Sequence, residues 1–458
     1  MQWSRRDFTK HAFLAGGSAV LGCSTRVQSI APIASPTYPT LPAPASSGLE
    51  HLVVVTMENR SFDHFLGWLP NAAGIQAGLN FTDKSGASHP IHSLSGDFTG
   101  CPQSDPDHSY DGSRVAYDGG MMDGFLRAGS NDLFSIGYYE EKDIPFYAAL
   151  ARNYTACDHY FAAILGPTFP NRIFLYAGQT DRTDNSVAVS LLPTILDRLA
   201  DAKVSHNYYY SNLPFVTLWA AQYLGISKLY SDFLVQASNG TLPAVSFIDP
   251  TYTVLDDGTG NDDHPHADIR EGDRFLYDVF EAIANGPAWS STVLVVNFDE
   301  WGGFFDHVPP PRAEAANAVD TDIIGGKTLL GFRLPVVIAS PFSRGDPQNP
   351  RISSLVFDHT SVLKLIEWRW GLAPLTPRDA SGDIHNLAYA LNFNQPQTAV
   401  PSLPKPNTPA IPTPCLQNAG SVFGAVQAGS GADPSGSSTT AKWKDLQTQA
   451  AKYGFKVG

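Results

Sequence analysis

Residues 52–64 read LVVVTMENRSFDH and are the most informative part of the chain about its architecture. Its first six residues, LVVVTM, are apolar except for Thr56 and do not alternate with polar residues. Such a run is typical of a strand that is buried on both faces, as in a parallel sheet covered by helices. The run ends at Glu58 and Asn59, two side chains that carry oxygen atoms. The stretch therefore predicts a buried strand that delivers polar groups to one edge of a sheet.

The same kind of apolar run recurs along the chain and alternates with helical patterns between residues 48 and 395. This alternation predicts an α/β fold, a three-layer α/β/α sandwich with a mostly parallel central sheet. The predicted strands are 52–57, 244–249, 292–298 and 335–340. Two helices are predicted over 268–286 and 359–371, each ending at a glycine suited to a C-terminal cap.

The overall composition limits the function classes. The chain has 458 residues, 43% of them hydrophobic and 16% charged, which is ample for a large core. Its formal net charge of −14 provides no positive surface for DNA or RNA, so no nucleic-acid partner is expected and a nuclease is disfavoured.

The N-terminal residues indicate export. The segment SRRDFTK (residues 4–10) precedes an apolar stretch too short to span a bilayer, a pattern typical of a twin-arginine signal. The alternative is the start of a basic amphipathic helix. We therefore expect a periplasmic or secreted protein. The sequence divides into a signal (1–26), a Pro/Ser-rich spacer (27–47), a catalytic domain (48–395), a Pro/Gly/Ser-rich connector (396–440) and a short C-terminal helix (441–458).

The four cysteines fit an oxidising compartment. Cys23, in VLGC, is either a lipid-attachment site or part of a discarded signal. Such a compartment permits one disulfide among Cys101, Cys157 and Cys415, and the sequence leaves the pairing open.

Two predicted strands end in pairs of oxygen-bearing side chains, Glu58-Asn59 and Asp299-Glu300. If the strands are parallel members of one sheet, these four groups project from the same edge. Three clustered carboxylates repel one another unless a cation lies between them. Oxygen ligands favour Mg²⁺, Ca²⁺ or Mn²⁺, with Fe or Zn less favoured. The alternative is that each pair caps a following helix.

A third stretch, LGPTFPNRIFLYAG (165–178), offers a nucleophile. Thr168 lies in a Gly-Pro turn, and Pro170 suits the first position of an amphipathic helix. Free backbone N–H groups at a helix start can receive phosphate oxygens, and Arg172 could grip the same group in a bidentate manner. The alternative is that Thr168 is only an N-cap residue.

Histidines occur in three loops rich in Asp, Gly and Pro. They are His108 in DPDHSY, His264 and His266 in DDHPHADI, and His307 in GGFFDHVPPP. An isolated histidine is more often structural than catalytic, but this loop composition favours a pocket, where histidine can protonate a leaving alcohol.

Five ordered segments over residues 57–372 resemble the bacterial phosphoesterase family of phospholipases C and acid phosphatases. They are MENRSFDHFLG, GPTFPNR, DDHPHADIREGD, FDEWGGFFDHVPPP and FDHTSVLKLIEWRWGL. The resemblance implies an alkaline-phosphatase-like core and a metal bound by Glu58, Asn59, Thr168, Asp299 and Glu300. It also implies Thr168 as nucleophile, with His108, His264 and His307 around the phosphoryl group; His264 is chosen over His266 only by alignment of His-Pro.

The combined expectation is an exported, metal-dependent hydrolase of phosphate esters that forms a phosphothreonine. The substrate would be a small phosphate ester or a phospholipid headgroup, with peripheral membrane contact in the latter case. One alternative is a sulfatase-like hydrolase, although TFPNR places Thr where a modifiable Cys or Ser is wanted. The other is a non-catalytic metal-binding surface protein.

Overall fold

The computed structural model describes residues 40–253, 260–409 and 439–457. The proposed export signal, Cys23 and Cys415, and residues 410–438 of the connector lie outside the described residues.

The described residues form fifteen strands and ten α-helices, numbered here in chain order. The strands are β1 His51–Met57, β2 Asn80–Thr82, β3 Ser88–Pro90, β4 His92–Ser93, β5 Gly137–Tyr138, β6 Thr155–Cys157, β7 His206–Tyr210, β8 Ser227–Leu229, β9 Val245–Ile248, β10 Thr292–Phe298, β11 Arg312–Glu314, β12 Ile323–Ile324, β13 Lys327–Leu329, β14 Val336–Ala339 and β15 Arg351–Ser353. The helices are α1 Phe62–Leu66, α2 Tyr110–Tyr117, α3 Pro145–Asn153, α4 Thr168–Ala177, α5 Ile195–Asp201, α6 Tyr230–Asn239, α7 Ile269–Ala284, α8 His359–Trp370, α9 Pro377–Ala380 and α10 Thr439–Tyr453.

Eight strands form one central sheet in the order β15-β6-β14-β10-β1-β9-β7-β8. Strand β1 pairs in parallel with β10 on one side and with β9 on the other. Strand β14 is antiparallel to both of its neighbours, β10 and β6, and the other pairings in the sheet are parallel. The predicted α/β class with a mostly parallel sheet is therefore confirmed.

Helices cover the sheet on both faces. Strand β10 is buried along its whole length and β1 from Leu52 onward, which requires apolar cover above and below them. Helix α7 packs against α3 and α6, while α4 packs against α8 and α5. The strands predicted at 52–57, 244–249, 292–298 and 335–340 all coincide with observed strands, with ends that differ by at most one residue.

The ends of the predicted helices need one correction. Gly371 caps α8 in the left-handed conformation, with φ 69°, as predicted. Gly286 does not cap α7, because that helix ends at Ala284 and Asn285 is its right-handed C-cap. A Cβ on Gly286 would lie 2.3 Å from the Ala237 carbonyl oxygen, so close packing against α6 accounts for this glycine.

The remaining features concern cysteines and helices. Cys101 is disulfide-bonded and Cys157 is free and buried, so Cys157 does not contribute to the disulfide. Among the described residues, none of the helices combines the length and apolar content needed to cross a bilayer.

Candidate active site

The two predicted oxygen-bearing pairs lie side by side. Met57 is opposite Phe298 in the β1–β10 pairing, so Glu58 and Asp299 leave the sheet at the same edge. The backbone N–H of Asn59 donates to Asp299 Oδ1 at 3.1 Å, which joins the two tips directly. The helix-capping alternative is wrong, because Ser61 is the N-cap of α1 and no described helix follows Glu300 before α8.

Two turns in contact with each other, one after β1 and one after β10, hold these strand ends in place. Asn59 and Gly302 both have left-handed backbone conformations, with φ of 58° and 65°. A Cβ on Gly302 would lie 2.1 Å from the Asn59 carbonyl oxygen, so only glycine allows the two turns to touch. The Gly302 N–H also donates to Glu300 Oε2 at 2.7 Å. The orientation of both pairs therefore depends on backbone contacts as well as on side chains.

Arg172 of α4 joins the ends of three adjacent parallel strands. Its Nε donates to Asp299 Oδ2 at 3.0 Å, its Nη1 donates to Asp249 Oδ1 at 2.9 Å, and its Nη2 lies 2.5 Å from Glu58 Oε1. Asp249 directly follows β9, so each of the three strands contributes one carboxylate. All these side chains are at least 99% buried. The guanidinium thus holds protein carboxylates, and the predicted grip of Arg172 on a phosphate stays a prediction.

Thr168 occupies the first turn of α4, on the same helix as Arg172. The helix begins at Thr168, two residues earlier than predicted, and Pro167 is its N-cap. The alternative of Thr168 as N-cap is therefore wrong. Residues i and i+4 share a helix face, and Arg172 reaches Glu58 and Asp299, so Thr168 lies on the face turned toward the strand ends. The side-chain amide of Asn171 donates to the carbonyls of Gly166 and Pro167 at 2.9 and 3.1 Å and fixes the preceding turn.

Among the described residues, several buried oxygens at the strand ends have no hydrogen-bond donor. They are Oε1 and Oε2 of Glu58, Oδ1 of Asn59 and Oε1 of Glu300. Glu58 Oε1 is close to Arg172 but does not accept a well-directed hydrogen bond from it. Burial, together with the charges of Asp299 and Asp262, raises the pKa of Glu58 well above its ordinary value against the attraction of Arg172. Unpaired buried oxygens of this kind are costly unless a cation binds them, so the residues present fit a divalent metal ion.

Asp299 differs from the other predicted ligands because the protein already uses both of its oxygens. Oδ1 accepts the N–H groups of Asn59 and Glu300, and Oδ2 accepts from Arg172. An ionised carboxylate has about four lone-pair directions, which leaves room for one further contact at Oδ2. Metal coordination by Glu58, Asn59, Thr168, Asp299 and Glu300 stays a prediction.

The structure brings His108 and His264 together beside the strand ends. The Nε2 of His108 lies 3.5 Å from Asn59 Nδ2 and 3.7 Å from Glu300 Oε1. The His108 and His264 ring centroids are 6.2 Å apart. Burial lowers the pKa of His108, but the neighbouring Glu300 and Asp105 carboxylates outweigh that effect and raise it. In His264, burial dominates and lowers the pKa to about 4.

Both rings are oriented by backbone carbonyls. The Nδ1 of His108 donates to the Pro106 carbonyl at 2.7 Å, and the Nδ1 of His264 donates to the Pro265 carbonyl. One ring nitrogen of each histidine and a carboxylate oxygen of Asp105 lie within 4.8 Å of one another. His264 belongs to this group, while the His266 ring stacks on Phe134, and the choice of His264 over His266 stays a prediction.

His307 belongs to a different group of side chains. Its Nδ1 lies 2.5 Å from Asp63 Oδ2 and its backbone N–H donates to the same oxygen at 2.8 Å. Arg333 donates to Asp63 Oδ1 at 3.1 Å and to Asp306 Oδ1 at 2.9 Å. Asp63, Asp306 and His307 form a second candidate metal-binding group, separate from that of His108 and His264. The predicted contact of His307 with a phosphoryl group stays a prediction.

Sequence reasoning missed three residues that position the site. Asp249 ends the predicted strand 244–249, so the strand-end rule used for Glu58 could have identified it. His359 Nε2 donates to the Asp299 carbonyl at 2.7 Å, although the sequence indicated only a residue at a helix start. Asp63 binds His307 across 244 residues of sequence, and no local signal predicts that contact.

Comparisons with known proteins place the chain among its relatives. The model of the Phosphoesterase family matches residues 49–373. Phospholipase C B of Mycobacterium tuberculosis is 31% identical to this chain, and the match covers 91% of this chain and 92% of the relative. Non-specific phospholipase C1 of Arabidopsis thaliana is 29% identical over 78% of this chain and 74% of its own. A solved structure of a protein in the alkaline phosphatase superfamily from Vibrio parahaemolyticus shares 10% identity with a TM-score of 0.34, over 72% of this chain and 69% of that one.

The family match extends over most of the chain and includes every predicted site residue. The chain therefore belongs to the phosphoesterase family. It is a phosphoric ester hydrolase, and candidate metal-binding groups are present among its described residues.

Proposed function

We propose that this protein is an exported, divalent-metal-dependent phosphoesterase that forms a phosphothreonine at Thr168. The observation that carries the proposal is the set of buried, unpaired oxygens of Glu58, Asn59 and Glu300 at the strand ends that α4 faces. Glu58, Asn59, Asp299 and Glu300 would hold the metal, with Thr168 beside it. When bound, such an ion lowers the pKa of a nearby hydroxyl and neutralises charge on phosphoryl oxygens.

The residues of the chain supply the rest of the chemistry. Thr168 Oγ, after losing its proton to solvent, attacks phosphorus in line, and the bond from phosphorus to the alcohol oxygen breaks. His307, or His264 at acid pH where its ring carries a second proton, gives the departing oxygen a proton. Water then hydrolyses the phosphothreonine, which releases phosphate or a phosphomonoester and restores the hydroxyl. Arg172 keeps Glu58 and Asp299 in register with the helix that carries Thr168.

Thr168→Ala is the direct test. We expect turnover of p-nitrophenyl phosphate or of p-nitrophenyl phosphorylcholine to fall by about a thousandfold or more, because the attacking oxygen is gone. Thr292→Ala is the matched control, since Thr292 is also buried but begins β10, at the opposite end of the strand from Asp299. Wild-type turnover in Thr168→Ala would overturn the assignment of the nucleophile. Mass spectrometry of quenched wild-type enzyme should detect a phosphate on Thr168.

The two candidate proton donors can be separated by the leaving group. Replacing the true donor with Asn should slow hydrolysis of an alkyl phosphate far more than that of p-nitrophenyl phosphate, because p-nitrophenolate leaves without a proton. His264→Asn and His307→Asn are compared with the two substrates. If neither variant shows this selectivity, a different group supplies the proton.

We further propose a phospholipid headgroup ester as the substrate, with peripheral membrane contact. The support is that the relatives matched over most of their length carry the name phospholipase C. Purified enzyme should release diacylglycerol from phosphatidylcholine vesicles faster than it releases p-nitrophenol from p-nitrophenyl phosphate. The reverse preference would make an acid phosphatase the better description.

Export is proposed from Arg5 and Arg6 in SRRDFTK. Replacing both with lysine should retain the precursor in the cytoplasm, because a twin-arginine signal depends on the guanidinium pair. Equal export of the double variant would contradict the proposal. Metabolic labelling with a fatty acid tests lipid attachment at Cys23.

A further inference from the structure

The C-terminal helix α10 packs behind the proposed nucleophile. The Trp443 side chain is fully buried and belongs to the main hydrophobic core, although residues 410–438 separate it in sequence from the rest of the described chain. Helix α10 contacts the 3₁₀ segment Phe215–Trp219. The side-chain amide of Gln449 also donates to the Val187 carbonyl at 2.8 Å. The helix is thus an integral part of the packed domain.

Trp443 is one member of an aromatic cluster, defined here as Phe169, Phe215, Tyr252 and Trp443, all of them fully buried. The Trp443 ring lies 5.1 Å from the Phe169 ring, edge to face, and 4.4 Å from the Tyr252 ring. Phe169 and Phe215 are 5.3 Å apart, also edge to face. These centroid distances are those at which aromatic rings attract one another beyond simple burial.

The aromatic cluster touches the site at two points. Phe169 follows Thr168 directly in the first turn of α4, so displacement of its ring moves the backbone that carries the hydroxyl. Arg172 lies against two cluster members, with its guanidinium carbon 5.1 Å from the Tyr252 centroid and 5.6 Å from that of Phe215. The aromatic rings therefore exclude water from the guanidinium that holds Glu58 and Asp299.

We infer that Trp443 is a positioning residue for phosphoester hydrolysis, acting through Phe169 on Thr168 and through Tyr252 on Arg172. This inference rests on the proposed role of Thr168. Loss of the indole would leave a large void beside both contacts, and neighbouring side chains in packed interiors collapse into such voids only in part. Thr168 and Arg172 would then sample misaligned positions, and misalignment of a reacting group by about 1 Å can slow a reaction by roughly a hundredfold.

The test compares Trp443→Ala, Trp443→Phe and Leu446→Ala in the full chain. Leu446 is the matched control because it is fully buried on the same helix and has no part in the aromatic cluster. The value of kcat is measured at a temperature at which circular dichroism shows that each variant is fully folded. We expect Trp443→Ala to lower kcat about tenfold or more while KM changes less than about twofold, because alignment and not substrate binding is lost. Leu446→Ala should keep kcat within about twofold of wild type.

Trp443→Phe separates alignment from general stability. The indole N–H makes no hydrogen bond to any residue that the structure describes, so phenylalanine keeps the aromatic contacts and should recover most of kcat. If Trp443→Ala cannot be obtained folded, an unchanged kcat in Trp443→Phe together with a large loss in Trp443→Leu still supports the inference. The non-aromatic variants are Trp443→Ala and Trp443→Leu. The inference would be overturned if the one that folds had an unchanged kcat. It would also be overturned if that variant and Leu446→Ala lost kcat equally. Thr168→Ala is measured in parallel to separate this inference from the proposed function. Wild-type activity in Thr168→Ala overturns the nucleophile assignment. Wild-type activity in the non-aromatic variant alone overturns only the role of Trp443.

Discussion

At the scale of single residues, Gly302 shows how closely the backbone confines the site. Its φ of 65° suits glycine, and the space where a Cβ would stand is occupied by the Asn59 carbonyl. Because Gly302 also donates to Glu300, a substitution there disturbs both oxygen-bearing pairs at once. The turn is thus constrained by conformation and by contact together.

Gly302→Ala should lower the free energy of unfolding by on the order of 3 kcal/mol, the sum of left-handed strain and a forced shift of the β1 tip. Gly325→Ala is the matched control, since Gly325 has a similar φ of 61° but no atom within 4 Å of the added Cβ. We expect about 1 kcal/mol there. Urea unfolding at fixed pH measures both values. Equal costs for the two variants would show that the contact with Asn59 is unimportant.

At the scale of elements, the contact between α8 and α9 places two acids together. Glu367 of α8 is 6% exposed and faces Asp379 of α9, with Lys364 nearby as a cation. Burial, together with the hydrogen bond and charge of Asp379, raises the pKa of Glu367 to about 9. The native state therefore keeps a proton that the unfolded chain releases near pH 4.5. The contribution of Glu367 to stability is complete below that pH and is lost as the pH rises toward 9.

Glu367→Gln should remove this dependence, because glutamine can still donate to Asp379 but does not ionise. We expect the free energy of unfolding of Glu367→Gln, relative to that of wild type, to increase by on the order of 2 kcal/mol as the pH rises from 5 to 9. Denaturant titrations at three pH values test this, with the exposed Glu50→Gln as control. A constant difference between wild type and Glu367→Gln across the range would mean that Glu367 titrates normally.

At the scale of the whole molecule, metal binding should be linked to global stability. Glu58, Asp299 and Glu300 are fully buried at the ends of two central strands, so their mutual repulsion acts on the core of the sheet. A cation that binds only the folded state shifts the unfolding equilibrium by mass action. The same carboxylates that would hold the ion therefore destabilise the fold without it.

Removing divalent ions with a chelator should lower the melting temperature by about 5 °C or more, and adding Mg²⁺, Ca²⁺, Mn²⁺ or Zn²⁺ back should restore it. Elemental analysis of dialysed protein identifies the retained metal. Glu300→Gln should weaken this response, because it removes one buried negative charge. A melting temperature indifferent to chelation, with no metal retained after dialysis, would contradict the predicted site.

The strands, the fold class and the polar residues at the strand ends could be predicted from the order of amino acids alone. Glu58, Asn59, Asp299 and Glu300 were predictable because an apolar run and the polar residue that ends it are adjacent in sequence. The predicted start of α4 was wrong because Pro170 was assigned to the first helical position, whereas it lies at the third. The first four N–H groups of a helix have no partner within the helix, so proline, which lacks an N–H, fits either position.

How these parts meet could be read only from the folded chain. Three contacts illustrate this: Arg172 binds three strand ends, Asp63 pairs with His307, and Trp443 packs behind Thr168. The residues in these contacts are at least 100 positions apart in sequence, except for Arg172 and Asp249, which are 77 apart. Such contacts follow from strand order and helix packing. Local patterns fix which residues are buried or exposed, but they do not specify which buried groups face one another.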